Sequence, residues 1–157
     1  MKKIVKLVLM AVLVFSVGFT TVPEKADAAT NYCASFSNTK EFYELSRVMV
    51  EHGDTLMGAC HIQKYHMYKV GVGSAIVDGQ SKSQFSRSLT HKEMAQVAGG
   101  VVAMGKNIAV PNTNKFKAEY FDISVNQNVR VIYVKKMFNN REYKNVITMY
   151  PISKIVN

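Results

Sequence analysis

The C-terminal third of the chain places the strongest constraint on the fold, because its hydrophobic pattern is typical of strands. The three segments there that are rich in Val, Ile, Tyr and Phe are 117–125, 128–138 and 142–152. The breaks between them, at residues 126–127 and 139–140, contain asparagine and are turn signals. Connections this short join antiparallel neighbours, so the sequence predicts a meander of three strands, with a short fourth strand over 107–110.

Helical patterns precede this sheet. We predict three helices, over about 39–51, 54–68 and 90–104. The first has Phe42, Leu45 and Met49 on its buried stripe, and the third opens with a capping box of Thr90 and Glu93. Helices followed by strands predict an α+β fold, in which N-terminal helices pack on one face of a C-terminal antiparallel sheet of three to four strands.

Residues 1–28 have the pattern of a secretory signal peptide. Three early lysines are followed by an apolar run over 7–19 and by the A-x-A cleavage pattern Ala26-Asp27-Ala28. The apolar run is shorter than a transmembrane helix requires. We therefore expect a secreted, extracellular protein with no stable membrane insertion after signal removal, and a single domain over 29–157.

The charge of the chain favours a polyanionic partner. The predicted signal peptide, residues 1–28, carries a net charge of +2, so the mature domain keeps +7 of the formal net charge of +9. Such an excess suits nucleic acid, cell-wall polyanion or an anionic membrane surface, although it is also compatible with simple solubility.

Two cysteines remain after processing, Cys33 and Cys60. In an oxidising compartment two cysteines of a small domain most often pair, so we predict a disulfide that ties the mature N-terminus to the second helix. The alternative is a thiol nucleophile at Cys60, next to His61. Adjacent helical residues point about 100° apart, which disfavours that pair.

The second helix carries the residues best suited to proton transfer. His61, Lys64 and His66 lie within one and a half turns, and histidine titrates near neutral pH. His61 and His66 are about 140° apart on an unbroken helix. Either the helix ends before His66, or only one of the two histidines is catalytic.

The other histidines and the spacing of ligand types argue against a metal. His52 and His91 are expected to be exposed residues at helix ends. His61 and His66 are five residues apart, which is not the i, i+4 spacing of a helical zinc pair, and no glutamate or cysteine completes a set. We expect no metal and no other cofactor.

A polar, basic loop is predicted over 81–88, with Phe85 as its apolar anchor. The last strand ends Val-Ile-Thr-Met-Tyr-Pro, and alternation places Val146, Thr148 and Tyr150 on one face. The order of a His-Ile-x-Lys-x-His helix, a Ser-x-Phe loop, a further helix and a sheet ending Val-Ile-Thr-x-Tyr-Pro resembles the barnase/EndoU/colicin/RelE group of bacterial ribonuclease toxins. The resemblance covers about residues 54–152.

This resemblance implies a metal-independent endoribonuclease that cleaves RNA by transesterification at the 2′-OH, with an antibacterial role and an acidic immunity protein as a partner. Secretion is expected from the signal peptide, whereas the usual toxin of this group is the C-terminal tip of a large delivery protein. It implies that His61 is the general base or acid, with His66 as its counterpart. The remaining roles that it implies are phosphate contact by Lys64, positioning of the phosphate by Ser83, and contributions to the same cleft from Thr148 and Tyr150. Tyr65 stands where the group has a second basic residue, so Arg87 or Arg130 is expected to supply that charge.

A different class of protein explains many of the same features. A secreted basic binding module for cell-wall polyanion or a protein partner needs the lysines but not His61. The eight Tyr and eight Phe residues suit a binding face as well as a core. Loss of RNA cleavage on replacement of His61 distinguishes the enzyme from the module.

Overall fold

The computed structural model describes residue 33 and residues 39–155. The predicted signal peptide, residues 1–28, lies outside the described residues. Within the part that is described, none of the helices is long and apolar enough to cross a membrane.

Eight strands and two α-helices are formed by the described residues. The strands are β1 (Lys40–Tyr43), β2 (Val48–Glu51), β3 (Ser74–Val77), β4 (Gln80–Ser83), β5 (Ile108–Ala109), β6 (Lys115–Asp122), β7 (Gln127–Phe138) and β8 (Arg141–Ile152). The helices are α1 (Gly58–His66) and α2 (His91–Met104), and Glu44–Ser46 forms one 3-10 turn.

The main sheet has six strands in the order β1-β2-β8-β7-β6-β5, and β3 and β4 form a separate hairpin. The predicted meander is confirmed as β6, β7 and β8, and the short fourth strand is confirmed as β5. The α+β class therefore holds, but the sheet has six strands instead of three or four. It is also not wholly antiparallel, because β2 runs parallel to β8.

The predicted first helix, over 39–51, is wrong, because this segment forms β1 and β2. Arg47 has a left-handed backbone (φ +50°) that separates the two strands, and Leu45, expected on the buried stripe, is 88% exposed. Val48, Met49 and Val50 are buried in succession. Three consecutive buried residues suit a strand with both faces covered better than one stripe of a helix.

The second predicted helix begins later and ends earlier than expected. The Asp54 carboxylate accepts hydrogen bonds from the backbone N–H groups of Leu56 and Met57, which makes a turn instead of a helix cap. Gly58 has φ +81°, and a Cβ there would lie 2.5 Å from the carbonyl oxygen of Glu51. Backbone this close to the end of β2 requires glycine, so α1 starts only at residue 58.

Helix α2 confirms the third predicted helix and its capping box. The Thr90 side chain accepts a hydrogen bond from the backbone N–H of Glu93, whose carboxylate accepts from the backbone N–H of Thr90. His91, expected to be exposed, is instead buried, with Nε2 2.8 Å from the carbonyl oxygen of Val50. The helix start is covered by β2, a contact that local sequence does not reveal.

One hydrophobic core joins the two helices to the main sheet. Residues of α1, α2, β2, β6, β7 and β8 contribute to a single cluster of buried side chains, and Phe85 belongs to it. A bulge in β8 opposite the Ile132/Tyr133 step changes the expected alternation. Val146 therefore points into the core with Met149, and does not share a face with Thr148 and Tyr150.

Candidate active site

The predicted disulfide is confirmed between Cys33 and Cys60, whose Cα atoms are 5.1 Å apart. Cys60 lies on α1, one residue before His61, and is buried. A disulfide-bonded cysteine has no thiolate, so the alternative of a Cys60 nucleophile is wrong in this structure. The bridge instead ties Cys33 to the helix that carries the histidines.

A cavity of about 310 Å³ lies where α1, β4 and β8 meet. The side chains that line it share an ability to donate or accept protons and hydrogen bonds: His61, His66, Ser81, Lys82, Ser83, Thr148 and Tyr150. Five of these residues are among those that the sequence singled out. The volume of the cavity is at the lower end of the range of small-molecule sites, which suits one nucleotide unit better than a long ligand.

The two histidines face the same cavity. Their ring centroids are 5.9 Å apart, at an angle of 61° between planes. The expectation that a continuous helix would keep them apart is therefore wrong, since α1 includes both residues. The helix ends at His66. The His66 ring forms a hydrogen bond with the carbonyl oxygen of Ser83 on β4, and this bond turns the ring towards the cavity that His61 also lines.

Each histidine is held by a backbone carbonyl. His61 Nδ1 lies 2.9 Å from the carbonyl oxygen of Thr55, and His66 Nδ1 lies 2.9 Å from that of Ser83. A carbonyl oxygen only accepts, so both Nδ1 atoms carry hydrogen. In the neutral form, each ring then presents an unprotonated Nε2 that is able to take up a proton.

Burial makes both histidines hard to protonate. The pKa of His66 is lowered to about 4, chiefly because the ring is buried, with further contributions from the charges of His61 and Lys82. The pKa of His61 is also lowered, again mainly by burial. His61 is the more exposed of the two. His66 is therefore neutral at pH 7, and His61 is the more accessible proton carrier.

The end of β8 forms the wall opposite the histidines. The Tyr150 ring stacks on the His66 ring, with centroids 5.1 Å apart and planes at 23°. The Thr148 hydroxyl oxygen is buried and has no hydrogen-bond partner among the described residues. A buried hydroxyl in this position is available to a ligand, and leaving it unpaired costs about 1–3 kcal/mol.

The hairpin of β3 and β4 forms the third wall. It turns at Asp78 and Gly79, and Asp78 accepts a hydrogen bond from the Tyr65 hydroxyl at 2.8 Å. After β4, the buried Gln84 donates to the carbonyl oxygen of Tyr65. The predicted loop over 81–88 is therefore partly a strand, and these bonds fix β4 against α1.

Lys82 is the lysine that lines the cavity, and Lys64 is not. The Lys64 ammonium lies 2.8 Å from a carboxylate oxygen of Asp78 and holds the hairpin to α1. Lys82 Nζ has a neutral partner, the side-chain oxygen of Gln80, at 2.7 Å. Because the short ion pair of Asp78 is with Lys64, Lys82 is the better cation for an incoming phosphate.

The two arginines that were predicted to supply further charge lie in different places. Arg87 pairs with Glu93 at 2.8 Å and lines another cavity, beside α2. Arg130 pairs with the buried Glu119 and donates to the Tyr150 hydroxyl at 3.3 Å. The structure therefore brings Arg130 to the edge of the site and leaves Arg87 outside it.

The remaining histidine also differs from expectation. His52 is buried, with Nε2 2.7 Å from the carbonyl oxygen of Cys33. Among residue 33 and residues 39–155, no group of three His, Cys, Asp or Glu side chains is arranged to hold a metal ion.

Ser81, Lys82 and Glu119 were not selected from the sequence. The Asp78-Gly79 pair after Ile76 and Val77 was a signal for a hairpin, and a hairpin would have placed residues 80–83 on a strand. Nothing local distinguishes Glu119 from other strand residues, because its partner Arg130 lies on the next strand.

No protein-family model matches this chain, and no curated protein or solved structure matches it either.

Proposed function

We propose that this protein is a metal-independent endoribonuclease that cleaves RNA by attack of a 2′-OH on the adjacent phosphorus. The observation that carries the proposal is the pair of histidine rings, 5.9 Å apart, in one cavity with Lys82. Transesterification of RNA needs one group that removes a proton and one that donates a proton, on either side of a charged phosphate.

His66 is the better general base. It is neutral over the ordinary pH range, and its hydrogen bond to Ser83 leaves Nε2 free to accept the proton of the 2′-OH. The O2′–H bond breaks as the O2′–P bond forms. A base with a pKa of about 4 is weak, so the cation beside it must contribute to activating the phosphate.

His61 is then the general acid. Its protonated form donates to the 5′ oxygen as the P–O5′ bond breaks, which leaves a 2′,3′-cyclic phosphate and a free 5′-hydroxyl. The ring is more exposed than that of His66, so its protonated form is less disfavoured by burial. Proton transfer of this kind contributes about 10²–10⁴-fold to the rate.

Lys82 is the cation that contacts the phosphate in this proposal. It replaces Lys64, whose charge is paired with Asp78. Thr148 and Tyr150 provide hydroxyl groups on the opposite wall, and Ser83 keeps its place at the cavity as the carbonyl partner of His66. Charged groups already in place when the phosphorane forms stabilise it without reorganisation.

The setting of the activity is also part of the proposal. The predicted leader and the Cys33–Cys60 disulfide suit an enzyme that works outside the cytoplasm. An antibacterial toxin of the ribonuclease group would require a protective partner, and an acidic immunity protein suits the basic mature domain.

The test uses the mature protein with its disulfide intact and a short RNA in EDTA. We expect cleavage to products with 2′,3′-cyclic phosphate ends. His61→Ala and Lys82→Gln should each lower the rate at least a hundredfold, while Lys64→Gln, the matched control at a lysine of α1 that does not line the cavity, retains most of the activity. Circular dichroism of each variant verifies the fold.

The outcomes separate the two classes of function. Wild-type activity in His61→Ala would remove the proposed mechanism. Absence of cleavage by a folded wild type that still retains RNA or cell-wall polyanion would favour the non-catalytic binding module.

A further inference from the structure

Three side chains form a row across the sheet beside the cavity. Glu119 on β6 is directly opposite Arg130 on β7, and Arg130 is directly opposite Tyr150 on β8. Residues opposite one another on neighbouring strands project from the same face of a sheet. The row ends at His66, on which the Tyr150 ring is stacked.

The first pair in the row is a buried ion pair with good geometry. One carboxylate oxygen of Glu119 lies 2.7 Å from Nε and 2.6 Å from Nη2 of Arg130. Lys117 Nζ is 3.6 Å from the same oxygen. The Glu119 side chain is only 6% exposed, so a carboxylate is kept here at a desolvation cost. Two charge-assisted hydrogen bonds fix the plane of the guanidinium group.

The second pair controls the direction of a hydroxyl proton. Arg130 Nη1 donates to the Tyr150 oxygen at 3.3 Å, and its guanidinium carbon lies 5.7 Å from the centre of the Tyr150 ring. Because arginine only donates, the hydroxyl hydrogen of Tyr150 cannot be used in this contact. It is left to donate to another acceptor, and Tyr150 lines the cavity.

We propose that Glu119 is a positioning residue of this site, which holds Arg130 so that the Tyr150 hydroxyl serves as a hydrogen-bond donor to an acceptor oxygen of the bound RNA. The identity of the ligand rests on the proposed function. The arrangement of the side chains does not.

Kinetics of the variants test the coupling. Glu119→Gln keeps the shape of the side chain and removes its charge, and we expect kcat/KM for the short RNA to fall about tenfold, the effect of losing one hydrogen bond of ordinary strength. In a Tyr150→Phe background the same substitution should have no further effect, because the group on which it acts is gone. An equal loss in both backgrounds would overturn the proposal.

A matched control is available on the same sheet. Glu142 pairs with Lys135 at 3.2 Å, but both side chains are about half exposed and neither lines the cavity. Glu142→Gln should therefore leave kcat/KM unchanged. If it lowers the rate as much as Glu119→Gln does, charge on the sheet and not positioning explains the loss, and the proposal is refuted.

A spectroscopic readout separates this inference from the proposed function. The ring signals of Tyr150 and His66 in NMR spectra report their stacking without any RNA. We expect these signals to shift in Glu119→Gln and to stay in place in Glu142→Gln. Unshifted signals in Glu119→Gln would refute the positioning role, whether or not the wild type cleaves RNA.

A further variant keeps the proposal testable if Glu119→Gln does not fold. The double variant Glu119→Gln/Arg130→Gln removes both charges and leaves no unpaired buried ion. It should fold, lose activity to the same degree as expected for Glu119→Gln, and show the same shifts of Tyr150 and His66. A folded double variant with wild-type spectra and rate would refute the role of the ion pair.

Discussion

The burial of His66 predicts that the protein loses stability in mild acid, and that this one side chain causes much of the loss. Its folded-state pKa is about 4, against about 6.5 for an unperturbed histidine. The unfolded chain therefore binds more protons than the folded one between these two values. The free energy of unfolding is unaffected by this group above pH 6.5 and falls as the pH is lowered through the window.

The magnitude follows from the difference between the two pKa values. Each unit corresponds to 1.36 kcal/mol, so the full effect of His66, reached below pH 4, is about 3.4 kcal/mol. Between pH 7 and pH 4.5 the same relation gives about 2.4 kcal/mol. That is a large part of the 5–15 kcal/mol by which domains are usually stable.

The perturbation is His66→Asn, because the asparagine amide retains a donor close to the position of Nδ1, where Ser83 accepts. The variant loses the contact with Tyr150 at every pH, so its stability at pH 7 will be lower. Its further loss between pH 7 and pH 4.5 should be about 2.4 kcal/mol smaller than that of the wild type. Urea unfolding followed by circular dichroism at both pH values measures this difference.

Two results would contradict this reasoning. The first is an equal loss of stability in wild type and His66→Asn, which would mean that His66 takes up no extra proton on unfolding. The second is an NMR titration in which the His66 ring protonates near pH 6.5. His91, whose pKa is also lowered by burial, contacts Val50 and not His66; it is present in both proteins and cancels in the comparison.

Three further predictions concern the rate, the disulfide and the second helix. If His66 is the base and His61 the acid, kcat/KM for RNA should be greatest between pH 4 and pH 6.5, since the base must be neutral and the acid protonated. A fluorescent oligonucleotide assay measures this pH dependence, and a maximum above pH 7.5 would exclude the assignment. The Cys33→Ser/Cys60→Ser variant should lose about 3.5 kcal/mol of unfolding free energy, because the bridge spans a sequence separation of 27 residues. Urea titration measures that loss, and a change under about 1 kcal/mol would show that chain entropy is not the main effect. Thr90→Ala should lower the stability by about 1 kcal/mol through loss of the α2 cap, and an unchanged thermal midpoint would speak against this.

The C-terminal sheet and α2 could be predicted because their signals are local. Alternation, β-branched residues and asparagine turns occur within each strand of the meander, and the capping box occurs within four residues. Neither element depends on a distant partner for its recognition.

The first two strands could not be predicted in the same way. Phe42, Leu45 and Met49 fit helical spacing, and nothing near them in the sequence reveals that β2 pairs with β8, at positions such as Lys144 and Asn145. Tertiary packing determined that this segment forms strands, because burial of three successive residues outweighs a weak helical pattern.

The candidate site shows the same division. His61, His66, Ser83, Thr148 and Tyr150 were chosen by residue type and order, and the structure brings them to one cavity. The relation between the two histidines was misjudged, since ideal helix geometry ignores the hydrogen bond by which β4 turns a ring at the helix end.

The sequence by itself determined the β-meander, the third helix, the cysteine pairing and the residue types of the site, because each of these depends on composition or on short spacing. Only the tertiary structure decided that Lys82 replaces Lys64 at the cavity and that Glu119 holds Arg130 beside Tyr150. Lysines look alike in a sequence, and a cross-strand row exists only once strand register is set. Ion pairs between elements, which form only in the folded protein, therefore determine which basic residue lines the cavity beside the histidines.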